Sequence, residues 1–336
     1  MQNRKRDDFM YQSVLNLFDT QVAIKLIKDN FENKLAKKLN LTRVSAPLFV
    51  MKSSGLNDYL NGYERPVSFD ALSFSGDVEI VQSLAKWKRC ALARYNFPSG
   101  YGLYTDMNAI RRDEELDAIH SMYVDQWDWE KIITKEERKL SYLKKVVRNI
   151  YGVILSIAKD VNKNYPELTY DLPKEIFFIT TKELENMYPN LTPKERENAI
   201  TKEHKAVFLM QIGVLLSNKL PHDGRAADYD DWRLNGDLLL WHEPLNMALE
   251  VSSMGIRVDE VSLVKQLKAK NEMFKLDNDY CKAILNKELP YTIGGGIGQS
   301  RLCMFFLKKI HIGEVQASLW PEEMVDKLKK EKVILL

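Results

Sequence analysis

Gly294, Gly295, Gly296 and Gly298 fall within five residues, followed by Gln299-Ser300-Arg301 and an apolar run from Leu302 to Leu307 that reads as a buried helix. Glycine allows a backbone to approach a neighbour or ligand closely, and free N–H groups at a helix start attract anions. Arg301, one step inside that helix, carries a planar cationic fork suited to phosphate. On its own the segment reads equally well as a tight helix-entry turn with a surface arginine. No Gly-Lys-Ser/Thr follows, and the dinucleotide-binding spacing with its downstream acid is absent, so the familiar phosphate loops are excluded.

A second cluster is Met122-Tyr123-Val124-Asp125-Gln126-Trp127-Asp128-Trp129-Glu130. On a strand, Val124, Gln126, Asp128 and Glu130 share one face, while Asp125, Trp127 and Trp129 share the other. Burying three polar groups in a row is costly, so their face is expected to meet water or a polar ligand, with the tryptophans packed behind. Glu250 interrupts an apolar strand, with Ser252 expected on its face and Ser253 on the opposite one. Asp237 heads another apolar strand. Two such acids near an arginine-bearing anion site suit Mg²⁺ on ATP phosphates, although each alone reads also as a strand-end acid. Lys88 falls on the apolar stripe of a predicted helix, four after Leu84 and three before Ala91, with Lys86 and Arg89 off it. A lysine there either snorkels outward or points into a site. The polar stretch from His222 to Trp232 reads as a surface loop or a lid. Arg111, ending a strand before the acidic turn at 112–117, supplies a second arginine. Together these groups could hold a nucleoside triphosphate and a small polar substrate.

The elements that must position them alternate irregularly. Helices are expected over residues 12–39, 82–95, 137–163, 182–203 and 261–286. Strands are expected over 41–51, 102–111, 119–130, 175–180, 207–212, 237–241 and 247–254, with hairpins in 52–80. Successive strands with inserted helices predict an antiparallel-rich mixed sheet. The chain has 336 residues, 45% hydrophobic and 29% charged, with 49 basic against 47 acidic side chains and a net charge of +2. That balance gives no electrostatic case for nucleic acid or membrane surfaces. Cys90, Cys281 and Cys303 form no CxxC pair, which fits a reducing, cytoplasmic setting. No apolar run approaches the roughly 18 residues that span a bilayer, and the charged N-terminus lacks a secretory apolar region.

Arg111, a loop, and a strand ending Gln126-Trp127-Asp128-Trp129-Glu130 resemble motif 2 of class II aminoacyl-tRNA synthetases, and Gly294 to Arg301 resembles motif 3. More closely, Ser83 to Arg89, Tyr123 to Glu130, Asp228 to Trp232, Leu234 to Asp237, Glu250 to Val258 and the glycine segment resemble the ammonia-dependent asparagine synthetases of the A type. The resemblance spans nearly the whole chain in order. It implies an α+β fold with a class II aminoacyl-tRNA synthetase-like core, a mainly antiparallel mixed sheet flanked by helices. One domain would cover residues 1–336, with 1–51 as the dimer element of a homodimer.

The resemblance also implies that aspartate's side-chain carboxylate attacks the α-phosphorus of ATP, and that ammonia then displaces AMP from β-aspartyl adenylate to give asparagine. Carried over by position, Arg111 would meet the α-phosphate and Arg301 the γ-phosphate, with Gly294 and Gly296 in the ATP wall. Asp237 and Glu250 would hold Mg²⁺. Lys88, Asp58, Ser83, Gln126, Asp128, Asp230 and Ser253 would form the aspartate pocket, Lys88 contacting a carboxylate. The implied partners are aspartate, ammonia and ATP, with no nucleic acid and no membrane. Val124 occupies the place where many class II synthetases carry an adenine-stacking aromatic ring, leaving His120 and Tyr123 as nearby candidates. The rival readings are a tRNA-charging enzyme, which would need an anticodon-binding module and a basic face, and a non-catalytic nucleotide-binding paralogue.

Overall fold

The computed structural model describes residues 11–60 and 64–336. The first apolar period becomes α1 (Leu17–Leu39), capped by the Asn16 side chain, which accepts from the Asp19 N–H. The expected strand at 41–51 is two strands in different sheets, β1 (Leu41–Arg43) and β2 (Phe49–Met51). Pro47 lies in the break, where its missing N–H cannot serve a ladder. β3 (Ser68–Phe69) and β4 (Val78–Ile80) join β2 in a small antiparallel sheet of order β2-β4-β3, matching the hairpin expectation.

The large sheet follows from α2 (Ala85–Arg94), β5 (Gly102–Ile110), β6 (Tyr123–Ile132), α3 (Leu140–Asn164) and β7 (Phe177–Thr180) onward. The helix expected at 182–203 is two helices, α4 (Thr181–Met187) and α5 (Pro193–His204). Each begins with its own capping box, Thr180 with Glu183 and Thr192 with Glu195, and Pro193 opens the second. β8 (Ala206–Met210), β9 (Asp230–His242) and β10 (Met247–Arg257) come next. The expected helix at 261–286 is also divided, into α6 (Glu260–Ala269) and α7 (Asp279–Leu285), with Asn271 between them at a left-handed φ of 58°. β11 (Thr292–Gly298) runs directly into α8 (Gln299–Phe306), and α9 (Glu322–Lys330) follows near the end of the chain.

The eight strands lie in the order β1-β5-β6-β11-β10-β9-β8-β7, antiparallel except for the outer pairs β1 with β5 and β7 with β8. One face is sealed by α1, α3 and α8 around Phe31, Trp127, Trp129, Ile150 and Leu238. Phe31 and Trp127 stack with ring centroids 4.7 Å apart. On the other face, α2 covers one side through Ala91 and Leu92, and α4 and α5 cover the other through Leu184 and Ile200. The gap between these covers exposes the middle strands, and there the site forms.

Candidate active site

The gap holds a cavity of about 550 Å³. Its floor is set by the register of β6 on β11, in which Gln126, Asp128 and Glu130 pair with Gly298, Gly296 and Gly294. The glycine segment is therefore a strand hydrogen-bonded on both sides rather than an anion-cradling loop. Glycine is required there because the side chains of β6 lie over it. A Cβ on Gly296 would collide with Gln126 Oε1 and stand 2.8 Å from Asp128 Oδ1.

A bulge sets the opposite wall. On β10, Glu250 pairs with Leu239 but Ser252 with Leu238, so Val251 is an extra residue. The bulge reverses the expected alternation: Ser252 turns toward the helix side and Ser253 comes opposite Asp237, on the Glu250 face. Simple period-two reasoning had placed them the other way round.

Asp128 and Glu130 are both buried against cations; Asp128 still borders the cavity, whereas Glu130 does not. Lys88 Nζ donates to Gly295 O at 3.1 Å and lies 3.3 Å from Asp128 Oδ1 and 4.0 Å from Glu130 Oε2. Burial lowers the Lys88 ammonium below its usual range, and Asp128 and Glu130 only partly restore it. Arg257 Nε and Nη2 bind Glu130 at 2.9 and 2.7 Å, and its Nη1 binds Asp230. Burial alone would raise the Glu130 carboxyl, yet Arg257 and Lys88 hold it below the usual range. For Asp230 burial prevails over Arg257 and the carboxyl is raised.

Toward the other end of the cavity, Arg111 lies 3.7 Å from Glu114, and Arg301 Nη1 donates to Glu250 O at 3.0 Å. Ser83 accepts from the Ala85 N–H at the start of α2. Asp58 is buried and accepts from the Leu60 N–H at 3.0 Å; burial pushes its carboxyl up to about 6 despite nearby Lys86. Lys86, expected off the buried stripe, is itself buried and 2.6 Å from Asp228; Arg89 is buried as well, bound to the carbonyls of Pro290 and Val258. α2 therefore turns three cations inward, and only Lys88 reaches the cavity.

The cavity brings together Asp58, Ser83, Lys88, Arg111, Gln126, Asp128, Asp230, Glu250, Ser253, Gly296 and Arg301. Gly294 lies beneath Glu130 and Arg257, and Asp237 sits behind Arg225, whose Nη2 donates to Asp237 Oδ2. Among the described residues no group of three or more His, Cys, Asp or Glu could hold a metal ion. Asp237 and Glu250 still fit Mg²⁺, which typically takes one or two carboxylates and completes its shell with water and phosphate oxygens. Asp237 Oδ1 is buried without a hydrogen-bond partner. Burial, with Glu250 adding and Arg225 opposing, pushes the Asp237 carboxyl up to about 7.

A family model described as aspartate-ammonia ligase matches residues 18–332. The chain belongs to the aspartate–ammonia ligase family. An aspartate–ammonia ligase of Bacillus cytotoxicus is 60% identical over 326 residues, covering 97% of this chain and 100% of its own length. One from Bacillus cereus is 59% identical over the same coverage. Among solved structures, the asparaginyl-tRNA synthetase of Pyrococcus horikoshii complexed with asparaginyl-adenylate has a TM-score of 0.66 at 15% identity, covering 90% of this chain and 70% of that one. The Entamoeba histolytica asparaginyl-tRNA synthetase in complex with asparaginyl-adenylate has a TM-score of 0.60 at 15% identity, covering 89% of this chain and 66% of that one. The fold is thus that of class II aminoacyl-tRNA synthetases, α+β with a largely antiparallel sheet.

Arg257 and Arg225 are site residues that the sequence alone does not single out. Arg257 carried a usable signal. It stands between Ile256 and Val258 at the end of a buried strand, where a cation requires a partner just as Glu250 does. Arg225 lies in a polar loop with nothing local to separate it from a surface arginine.

Proposed function

We propose that this chain converts L-aspartate and ammonia to L-asparagine at the expense of ATP, through β-aspartyl adenylate, releasing AMP and pyrophosphate. The observation that carries the reading is the segregation of cations along β6. Arg111 and Arg301 lie at the Gln126 end, whereas Lys88 and Arg257 lie at the Glu130 end. Four residues of strand separate these ends by about 13 Å, enough to hold phosphates at one and a small amino acid at the other.

In this scheme Lys88 and Arg257 hold one carboxylate of aspartate, while Asp58, Asp128 and Asp230 take its α-ammonium or steer ammonia. Gln126, Ser83 and Ser253 orient the bound aspartate by hydrogen bonding. The other carboxylate presents an oxygen to the α-phosphorus. Negative charge growing on the α-phosphoryl oxygens meets Arg111, and Arg301 holds the γ-phosphate. Pyrophosphate leaves, ammonia attacks the acyl carbon, and AMP departs carrying the bridging oxygen. Mg²⁺ held by Asp237 and Glu250 would neutralise phosphate charge. Gly296 lets Gln126 and Asp128 lie close to the sheet, and Gly294 does the same for the Glu130–Arg257 pair.

We read the chain as a single catalytic unit that acts as a homodimer through its first helix and strands. Leu17, Phe18 and Val22 leave an apolar stripe of α1 exposed, with Phe18 at 76%, which supports that reading. Three free thiols suit a cytoplasmic setting, and among the described residues no helix is long and apolar enough to cross a membrane.

The test is incubation with aspartate, ATP and Mg²⁺ together with ammonium or glutamine. Asparagine and AMP should appear in equal amounts with ammonium. Formation of ADP, or charging of tRNA with aspartate, would count against the scheme.

A further inference from the structure

α8 opens with a defect. Its N-cap is Gly298, which has no side chain to accept from the first free N–H groups. The acceptor comes from another strand: the Ser300 N–H donates to Asp125 Oδ1 at 3.0 Å. Asp125 belongs to the helix side of β6 with Trp127 and Trp129, and it is 6% exposed. Its Oδ1 also accepts from Gln316 Nε2 at 3.2 Å, and that same Nε2 donates to Ser300 Oγ at 3.1 Å. Its Oδ2 accepts from Lys28 Nζ of α1 at 3.0 Å. Asp125 thus ties α1, β6, the first turn of α8 and the segment after it at one point. The residue after Ser300 is Arg301, whose guanidinium reaches the cavity and Glu250 O.

We infer that Asp125 is a positioning residue: by capping α8 from β6 it fixes the direction in which Arg301 meets the nucleotide phosphates, and Lys28 holds the cap in place. The inference rests on the nucleotide role proposed for Arg301. An N-cap interaction of this kind corresponds to a factor of roughly three to thirty in an equilibrium, and here it acts on one cation at one end of the cavity. The effect should therefore fall on ATP more than on aspartate, whose proposed carboxylate contacts, Lys88 and Arg257, lie at the Glu130 end.

The experiment compares wild type with Asp125→Ala, Asp125→Asn and Lys28→Met, measuring KM for ATP and for aspartate, with the thermal shift produced by ATP as a readout independent of turnover. Asp125→Ala should raise the ATP KM about tenfold and shrink the ATP-induced shift, with the aspartate KM unchanged within about twofold. Asp125→Asn keeps an oxygen for the Ser300 N–H and should recover most of the loss. Lys28→Met, which removes a partly exposed lysine, should raise the ATP KM alone and more weakly, and it decides the matter if Asp125→Ala does not fold. Equal rises in both KM values, no change in either, or an Asp125→Asn protein no better than Asp125→Ala would overturn the inference. A wild type that makes no asparagine yet is stabilised by ATP would defeat the proposed reaction, while the thermal shifts would still decide the role of Asp125.

Discussion

Arg257 on β10 and Glu130 on β6 reach across the intervening strand β11 and meet above Gly294, with Nε–Oε1 at 2.9 Å and Nη2–Oε2 at 2.7 Å. Gly294 pairs with Glu130 on one side and Gly255 on the other. A Cβ there would strike the Glu130 carboxylate and lie 2.7 Å from Arg257 Nη2. A buried ion pair spans three strands only because the middle one has no side chain beneath it.

Gly294→Ala should accordingly act on stability. The nearest clash is with Glu130, which is fully buried away from the cavity and bound to Arg257, so we expect a loss of about 1–3 kcal/mol in chemical denaturation, the range for overpacking. Gly296→Ala differs, since its collision is with the ends of Gln126 and Asp128, which border the open cavity. It should keep most of the stability and lose activity. Equal stability losses in the two variants would contradict this assignment.

Removing one member of the pair leaves a buried charge only partly compensated, Glu130 by Lys88 at 4.0 Å or Arg257 by Asp230. Arg257→Met, which takes the guanidinium from both Glu130 and Asp230, should cost about 3–5 kcal/mol, and Glu130→Gln less, because Arg257 keeps Asp230. Because the two residues interact directly, the double variant should cost less than the sum. A double-mutant cycle that gave simple additivity would show that the pair is not coupled.

Asp58 provides a pH test. Its carboxyl is raised to about 6 from an ordinary 3.8, so its contribution to stability is fully present below pH 3.8 and is lost as pH rises through about 6. The difference amounts to about 3 kcal/mol. Asp58→Asn should therefore match wild type in stability near pH 3.5 and exceed it by up to that amount near pH 8. Denaturation curves at both pH values check the sign; a variant destabilised most at high pH would refute it.

Arg225 occupies Asp237 Oδ2 and leaves Oδ1 free, so the divalent cation proposed at Asp237 and Glu250 would meet the Arg225 charge beside it. Without nucleotide, Arg225→Met should bind Mn²⁺ about tenfold more tightly than wild type, and Asp237→Asn should bind it more weakly. Electron paramagnetic resonance of free Mn²⁺ measures both. Unchanged affinity in Arg225→Met would show that the Arg225 charge does not oppose the cation.

Much of the site could be read from the sequence because it violates the rule for buried strands. Gln126, Asp128, Glu250 and Lys88 are polar where apolar residues belong, and such positions require partners. What could not be read depended on distant neighbours. The glycine segment looked like a loop, because glycine marks a turn or a close approach, and only Glu130 and Asp128 lying over it decide which. The β10 bulge has no Gly or Pro at Val251 to announce it, so Ser253 was assigned to the wrong face. The division of the helix at 182–203 was legible in Thr192-Pro193 with Glu195, but helical periodicity across it concealed the break.

The central claim is the adenylate, and oxygen transfer tests it most directly. Aspartate labelled with ¹⁸O in its side-chain carboxylate is incubated with the protein, ATP, Mg²⁺ and ammonium, and the products are analysed by mass spectrometry. Attack on the α-phosphorus predicts one ¹⁸O in each AMP formed, with unlabelled pyrophosphate. Label in inorganic phosphate, accompanied by ADP, would place the attack at the γ-phosphorus and contradict the account.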